Sequence, residues 1–173
     1  LESNKLKLDV FASYSNIELK VVIGDQQAAF IGNNGLQQNT LAANYGTSAS
    51  IQLNVGPSPK IINGLISSIL FSNSKEKVFM VEGTINSCNS LFYYLEKKFN
   101  IDHHLMNWNE RVKNIKTDGI FIPGFSGIAS PYWKTGFEDI LIDLDGNINQ
   151  TIRAAMESIG FLTYDILSFF KKK

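Results

Sequence analysis

Apolar and polar positions change rhythm several times along the chain, and each rhythm predicts an element. Val21-Val22-Ile23 is an unbroken β-branched run and predicts a short buried strand. Residues 17–21 alternate at the strand period and lead into it, whereas residues 1–19 as a whole alternate only weakly. Gly24 then predicts a tight turn, at a backbone angle other residues resist, before a helix start rich in small residues. Asn33-Asn34-Gly35 is a turn signal. Residues 40–45 and 48–55 read as two strands around Gly46-Thr47, and Gly56-Pro57-Ser58-Pro59 breaks the chain. Residues 65–71 and 78–81 follow as two more strands. Strands so closely spaced predict an antiparallel meander.

Past residue 85 the period lengthens. Leu91, Leu95 and Phe99 recur at i, i+4 and i+8 and predict a helix capped by Asn86 or Ser87. Residues 101–116 are polar and predict a short helix between loops, with Trp108 and Val112 inward. Ile120-Phe121-Ile122 reads as a strand stopped by Pro123, and Ile140-Leu141-Ile142 as another. Between them lies an aromatic loop with Phe125 and Pro131-Tyr132-Trp133. The last stripe, Ile148, Ile152, Met156, Ile159, Leu162, Ile166 and Phe170, has the helical period. Strands followed by helices fit one layer of strands packed with helices.

Composition narrows the class. At 173 residues and 44% hydrophobic, the chain has material for one domain with a core. Sixteen basic residues balance sixteen acidic ones, and no basic stripe argues for nucleic acid. The terminal run Lys171-Lys172-Lys173 reads as solvated. A lone cysteine, Cys88, excludes an internal disulfide and suits a reducing compartment, hence a cytoplasmic expectation. With no cation nearby in sequence, it reads as a buried small residue and not a nucleophile. No apolar run reaches membrane-spanning length, and no signal peptide is visible. Leu1 at the start, and a stripe still running at the end, predict a piece of a longer protein.

Few residues carry chemistry on their own. Asp25 falls at a strand end, where α/β proteins meet ligands, and suits either a helix cap or a general base. Gly46-Thr47 suits either an ordinary hairpin turn or a phosphate contact. Asp143-x-Asp145-x-Asn147 begins like a calcium loop, but Ile148 and Ala154 stand where Gly and the closing Glu belong. His103 and His104 are adjacent, would point apart, and have no ligand cluster beside them, so no metal site is expected. No GxxxxGK[ST] segment is present. The sequon Asn149-Gln150-Thr151 sits at a helix start and reads as a chance match.

Four segments in order resemble the FGGY carbohydrate kinase family, nearest its glycerol kinases. Gly24-Asp25-Gln26-Gln27-Ala28-Ala29 resembles its GDQQAA segment, and Tyr45-Gly46-Thr47-Ser48 its YGTG turn. Phe121-Ile122-Pro123-Gly124-Phe125-Ser126-Gly127 with Ser130-Pro131-Tyr132-Trp133 is similar to FVPAFSG…APYW. Residues 152–159 resemble RAALESI. The likeness runs from about residue 21 to about residue 167. It implies a ribonuclease H-like α/β fold of the actin and hexokinase type, here truncated with a mixed sheet and flanking helices. It further implies that residues 1–20 lead in from a preceding N-terminal domain and that residues 21–173 form part of the C-terminal kinase domain.

The same resemblance implies ATP and Mg2+ as cofactors and transfer of the γ-phosphate to a sugar or polyol hydroxyl. The implied partners are small molecules, not nucleic acid or membrane, and homo-oligomerisation stays open. Asp25 takes the general-base role and Gln26 the substrate hydroxyls, an amide being both donor and acceptor. Gly46 and Thr47 meet the terminal phosphates. Glu82-Gly83 matches the strand end before the nucleotide-side helix, where Asn89 and Tyr93 replace the usual Gly and Gln. Ser48 replaces another Gly, Ser50 a Phe that forms an apolar wall, and Asp143 a Gly. Ser50, Asn89, Tyr93 and Asp143 favour a rival reading, a non-catalytic scaffold or regulatory binding protein, whereas the intact Gly24-Asp25-Gln26-Gln27 favours the enzyme.

Overall fold

A computed structural model describes residues 21–102, 107–144 and 146–171. The expected strand lead-in at residues 17–20, His103-His104 and Asp145 lie outside them. The elements run α1 (Asp25–Gly32), β1 (Leu41–Tyr45), β2 (Ala49–Gly56), β3 (Ile66–Ser72), β4 (Lys77–Ile85), α2 (Asn89–Phe99), α3 (Trp108–Val112), β5 (Ile120–Ile122), β6 (Ile140–Ile142) and α4 (Ile148–Lys171).

The four long strands form one sheet in the order β1-β2-β4-β3. This corrects the expected meander, which would keep neighbours in chain order. The connection from Gly56 to Ile66 is too long for a two-residue hairpin and contains Pro57 and Pro59, so β3 takes the far edge. Burial follows the order. The inner strands β2 and β4 are largely covered, while β1 and β3 at the edges are mostly exposed or half-buried. A second, two-stranded sheet pairs β5 and β6 antiparallel, Phe121 opposite Leu141.

Two compact units divide the chain. The first comprises described residues 21–42 with Gln52–Ile61 and Ser67–Val81. Its core is Phe30, Leu70, Val78 and Met80, with Ile31, Ala42 and Phe71 packed against them. Buried Asn54 ties its loops together, donating to the carbonyls of Gly35 (2.7 Å) and Leu36 (3.1 Å) and accepting from the Gly56 amide (2.8 Å). The expected strand at Val21-Val22-Ile23 is absent. These residues are irregular and exposed, Val21 at 67%. A β-branched run becomes a strand only where a neighbour supplies ladder hydrogen bonds, and no described residue does so here.

The second unit comprises Ala43–Ile51, Ile62–Ile66 and residues from Glu82 onward. Leu91 and Leu95 of α2, Phe121 of β5, and Ala154 and Ala155 of α4 form its core, with Trp108 and Ile159 at the margin. Val112 is buried, as the α3 pattern predicts. Along α4 the buried face is Thr151, Ile152, Ala154, Ala155, Ser158, Leu162, Ile166 and Phe170. Ile148, expected on that stripe, is 42% exposed. It is the first helical residue, ahead of the packed turns. Small residues define the contact face as much as large ones. Gly83 of β4 serves the same close packing, since a Cβ there would lie 2.4 Å from Ile166 Cγ2. Asn147 caps α4 by accepting from the amides of Asn149 (3.0 Å) and Gln150 (3.3 Å).

Candidate functional site

Asp25 and Gln26 belong to the first unit. Gly24 is the N-cap of α1, at φ −67° and ψ 152°, and Asp25 is the first helical residue. Two expectations are corrected. Asp25 does not cap the helix, and Gly24 does not need a glycine-only backbone angle. Gly24 instead leaves room for a side chain, because a Cβ there would lie 2.4 Å from Gln27 Oε1. The Asp25 carboxylate is exposed, and its Oδ1 accepts from the adjacent Gln26 amide at 2.8 Å. That bond fixes one oxygen beside the positive end of α1. The Gln26 side chain is exposed, while the Gln26 backbone carbonyl oxygen accepts from Gln52 Nε2 at 3.4 Å. The pair is therefore presented outward from one helix start, a carboxylate next to an amide.

Gly46, Thr47 and Asn89 come together in the second unit, with Tyr93 one turn along the same helix. Gly46 and Thr47 lie in the bend joining β1 to β2. Their carbonyls face the start of α2. The Gly46 oxygen accepts from the Asn89 amide at 3.0 Å, and the Thr47 oxygen from the amides of Cys88 (3.3 Å) and Ser90 (3.1 Å). A helix start leaves its first amides without intrahelical partners, and here a turn from a remote stretch satisfies them. The expected side-chain cap by Asn86 or Ser87 is thus corrected: Cys88 is the N-cap and makes no side-chain cap bond. Gly46 N–H is spent on Ser48 O at 2.8 Å, while the Thr47 side chain stays exposed.

Asn89 and Tyr93, four residues apart, both lie on the exposed side of α2, Tyr93 at 63%. Cys88 is buried, and burial pushes its thiol upward, as expected of a packing residue. Ser50 does not open a gap. It is buried in β2 and donates to Glu82 Oε1 at 2.7 Å, a polar pair in keeping with the expected loss of an apolar wall.

Sequence reasoning missed two groups that hold α2. Asn86 and Ser87 turn away from the helix to the loop after β5. Asn86 Nδ2 donates to the Ser126 carbonyl at 3.0 Å, and the hydroxyls of Ser87 and Ser126 bond to each other. Further along, Asp139 accepts from Lys98 and Tyr94 of α2 and from the amides of Gly124 and Phe125. Tyr94 and Lys98 at i and i+4 do signal a shared face. Nothing local marks Asp139 as their partner, and it reads as a solvated charge. Among the described residues, no three His, Cys, Asp or Glu side chains gather as metal ligands, and no helix is long and apolar enough to cross a membrane.

Residues 41–173 match the C-terminal domain of the FGGY family of carbohydrate kinases. A glycerol kinase of Corynebacterium kroppenstedtii is 30% identical over 165 residues, which is 90% of this chain and 31% of that protein. Glycerol kinase 1 of Thermotoga maritima is 27% identical over 84% of this chain and 30% of its own length. Plasmodium falciparum glycerol kinase, crystallised with ADP, superposes with a TM-score of 0.76 at 26% identity, over 95% of this chain and 34% of that one. A ligand-bound xylulose kinase from Lactobacillus acidophilus gives 0.78 over 96% of this chain and 35% of that one, a likeness of fold at 19% identity. The chain thus spans about a third of the relatives it matches. Its mixed α/β architecture is that of the actin and hexokinase ATPases. With most of its length matched, the chain belongs to the FGGY family of carbohydrate kinases.

Proposed function

We propose that this chain is the part of a larger polyol or sugar kinase, glycerol kinase-like, that supplies the catalytic carboxylate and the nucleotide-side platform. In this reading residues 21–173 are a partial C-terminal kinase domain and residues 1–20 lead in from the domain before it. The intact protein transfers the γ-phosphate of MgATP to a substrate hydroxyl in a reducing, cytoplasmic setting. Asp25 accepts the hydroxyl proton as the oxygen attacks, and Gln26 bonds a neighbouring hydroxyl. The O–P bond to the substrate forms as the bond to the ADP oxygen breaks. Such a transfer relies on alignment and charge neutralisation more than on a strong base. Thr47 is the side chain presented to the terminal phosphates, and Asn89 with Tyr93 the face presented to the nucleoside.

The observation that carries the reading is the bonding of the Gly46-Thr47 carbonyls to the first amides of α2, which makes turn and helix one piece. Mg2+ enters as part of the MgATP substrate, held mainly through the phosphates. The experiment is a screen of the intact protein with ATP and a panel of polyols and ketoses, reading ADP release. Release that depends on one of them is expected. Tight ATP binding without release, across the panel, would favour the non-catalytic scaffold.

A further inference from the structure

Helix α2 divides its side chains among three tasks. Asn89 and Tyr93 face outward, and Leu91 and Leu95 are fully buried. Tyr94 and Lys98 reach a carboxylate about forty residues away. The Asp139 side chain is only 5% exposed, and all its bonds run to donors. Lys98 Nζ lies 2.6 Å from Oδ2, and the Tyr94 hydroxyl donates to the same oxygen. The amides of Gly124 (3.0 Å) and Phe125 (3.2 Å) donate to Oδ1. The Phe125 ring stacks on Tyr94 with centroids 4.0 Å apart and planes 3° apart. Gly124 permits the approach, since a Cβ there would meet the Glu138 carbonyl oxygen at 2.3 Å. The same loop grips the chain just before α2 through Ser126, Asn86 and Ser87. The loop thus ties α2 at its middle and immediately ahead of its start.

We propose that Asp139 is a positioning residue for the nucleotide: it pins α2 to the loop of residues 124–126, keeping Asn89 and Tyr93 in register with the Gly46-Thr47 turn. The proposal rests on the nucleotide reading of that face of α2. An ion pair with one buried partner is poor evidence for stability in itself, and its best-attested use is to select one arrangement over others. Ligand sites tolerate errors of only about half an ångström in their supports. Asp139 bonds both the helix and the loop, so its loss frees each to shift against the other.

The test is calorimetric titration of the intact protein with ATP, for wild type and for Asp139→Asn, Lys98→Met, Lys98→Arg and Tyr94→Phe. Thermal melts establish that each variant is folded at the assay temperature. Asp139→Asn and Lys98→Met are expected to weaken ATP binding about tenfold, and Lys98→Arg, which keeps the charge, to stay within about threefold of wild type. Tyr94→Phe keeps the ring stack, loses one bond and should fall between. Should Asp139→Asn not fold, Lys98→Met and Tyr94→Phe decide. Wild-type affinity in the folded variants, or equal losses in Lys98→Met and Lys98→Arg, would overturn the positioning role. No ATP binding by wild type itself would overturn the nucleotide reading on which it rests.

Discussion

Asp25 stands exposed at the first turn of α1, with one carboxylate oxygen engaged by the Gln26 amide. Asn in its place keeps the shape and can still accept that amide bond, but cannot take a proton. In the intact protein, Asp25→Asn should therefore lower turnover by about two to four orders of magnitude. ATP affinity, read by calorimetry, should barely change. Near-normal turnover would leave Asp25 a helix-start residue only. Asp139 illustrates the opposite setting. Burial raises its carboxyl pKa, but the bonds from Lys98, then Tyr94 and the Phe125 amide, outweigh burial and hold it below the usual value. The sign follows. Its folded pKa lies below its unfolded one, so its stabilisation is present above the unfolded range and disappears as pH falls through the folded value. Burial, then the bond to Asp139, raises Tyr94. Burial lowers Lys98, but the bonds to Asp139 and Tyr94 outweigh it and leave it raised. Their contributions are present below their unfolded values and lost as pH rises through the folded ones. Asp139→Asn should cost about 2–3 kcal/mol near neutrality, the Lys98 head being partly exposed. It should also flatten the loss of stability below about pH 4, read as urea midpoints across pH. An unchanged acid limb would contradict this.

At the scale of elements, α2 combines the legible with the hidden. Its apolar face was visible in the spacing of Leu91 and Leu95, because a helix writes its period into consecutive residues. Its cap was not, because the satisfying carbonyls come from Gly46 and Thr47, some forty residues earlier. The same contrast separates β5, bounded by Pro123 and found as expected, from residues 21–23, whose strand character needs a neighbour. The exposed face of α2 yields a prediction. By the resemblance, Asn89 places a side chain where glycine is expected, and Tyr93 is bulkier than the expected glutamine. Asn89→Gly with Tyr93→Gln should tighten ATP binding by the intact protein in calorimetry, and weaker binding would mean that Tyr93 stacks on the base instead. Packing between β4 and α4 yields another. Gly83→Ala forces a methyl group into Ile166, which is fully buried, and should destabilise by about 1–3 kcal/mol in urea unfolding. Adding Ile166→Ala should make the double variant less damaged than the sum of the two single costs.

For the whole molecule, family and fold were legible because four motif segments keep their order, while the sheet order was not. Local alternation marks a strand but does not say which strand lies beside it, and the long link from Gly56 to Ile66 carries β3 past β4 to the edge. The chain spans about a third of its relatives, and phosphoryl transfer needs two substrates aligned in one cleft, alignment supplying much of the rate. The central claim is that this chain holds the catalytic carboxylate and the nucleotide platform of a kinase whose remaining walls lie elsewhere in the intact protein. Polyol-dependent ADP release, measured in parallel for the intact protein and for the 173-residue chain alone, tests it most directly. The account predicts release by the intact protein and none by the chain. Release by the isolated chain, or none by the intact protein with any polyol or ketose, would contradict it.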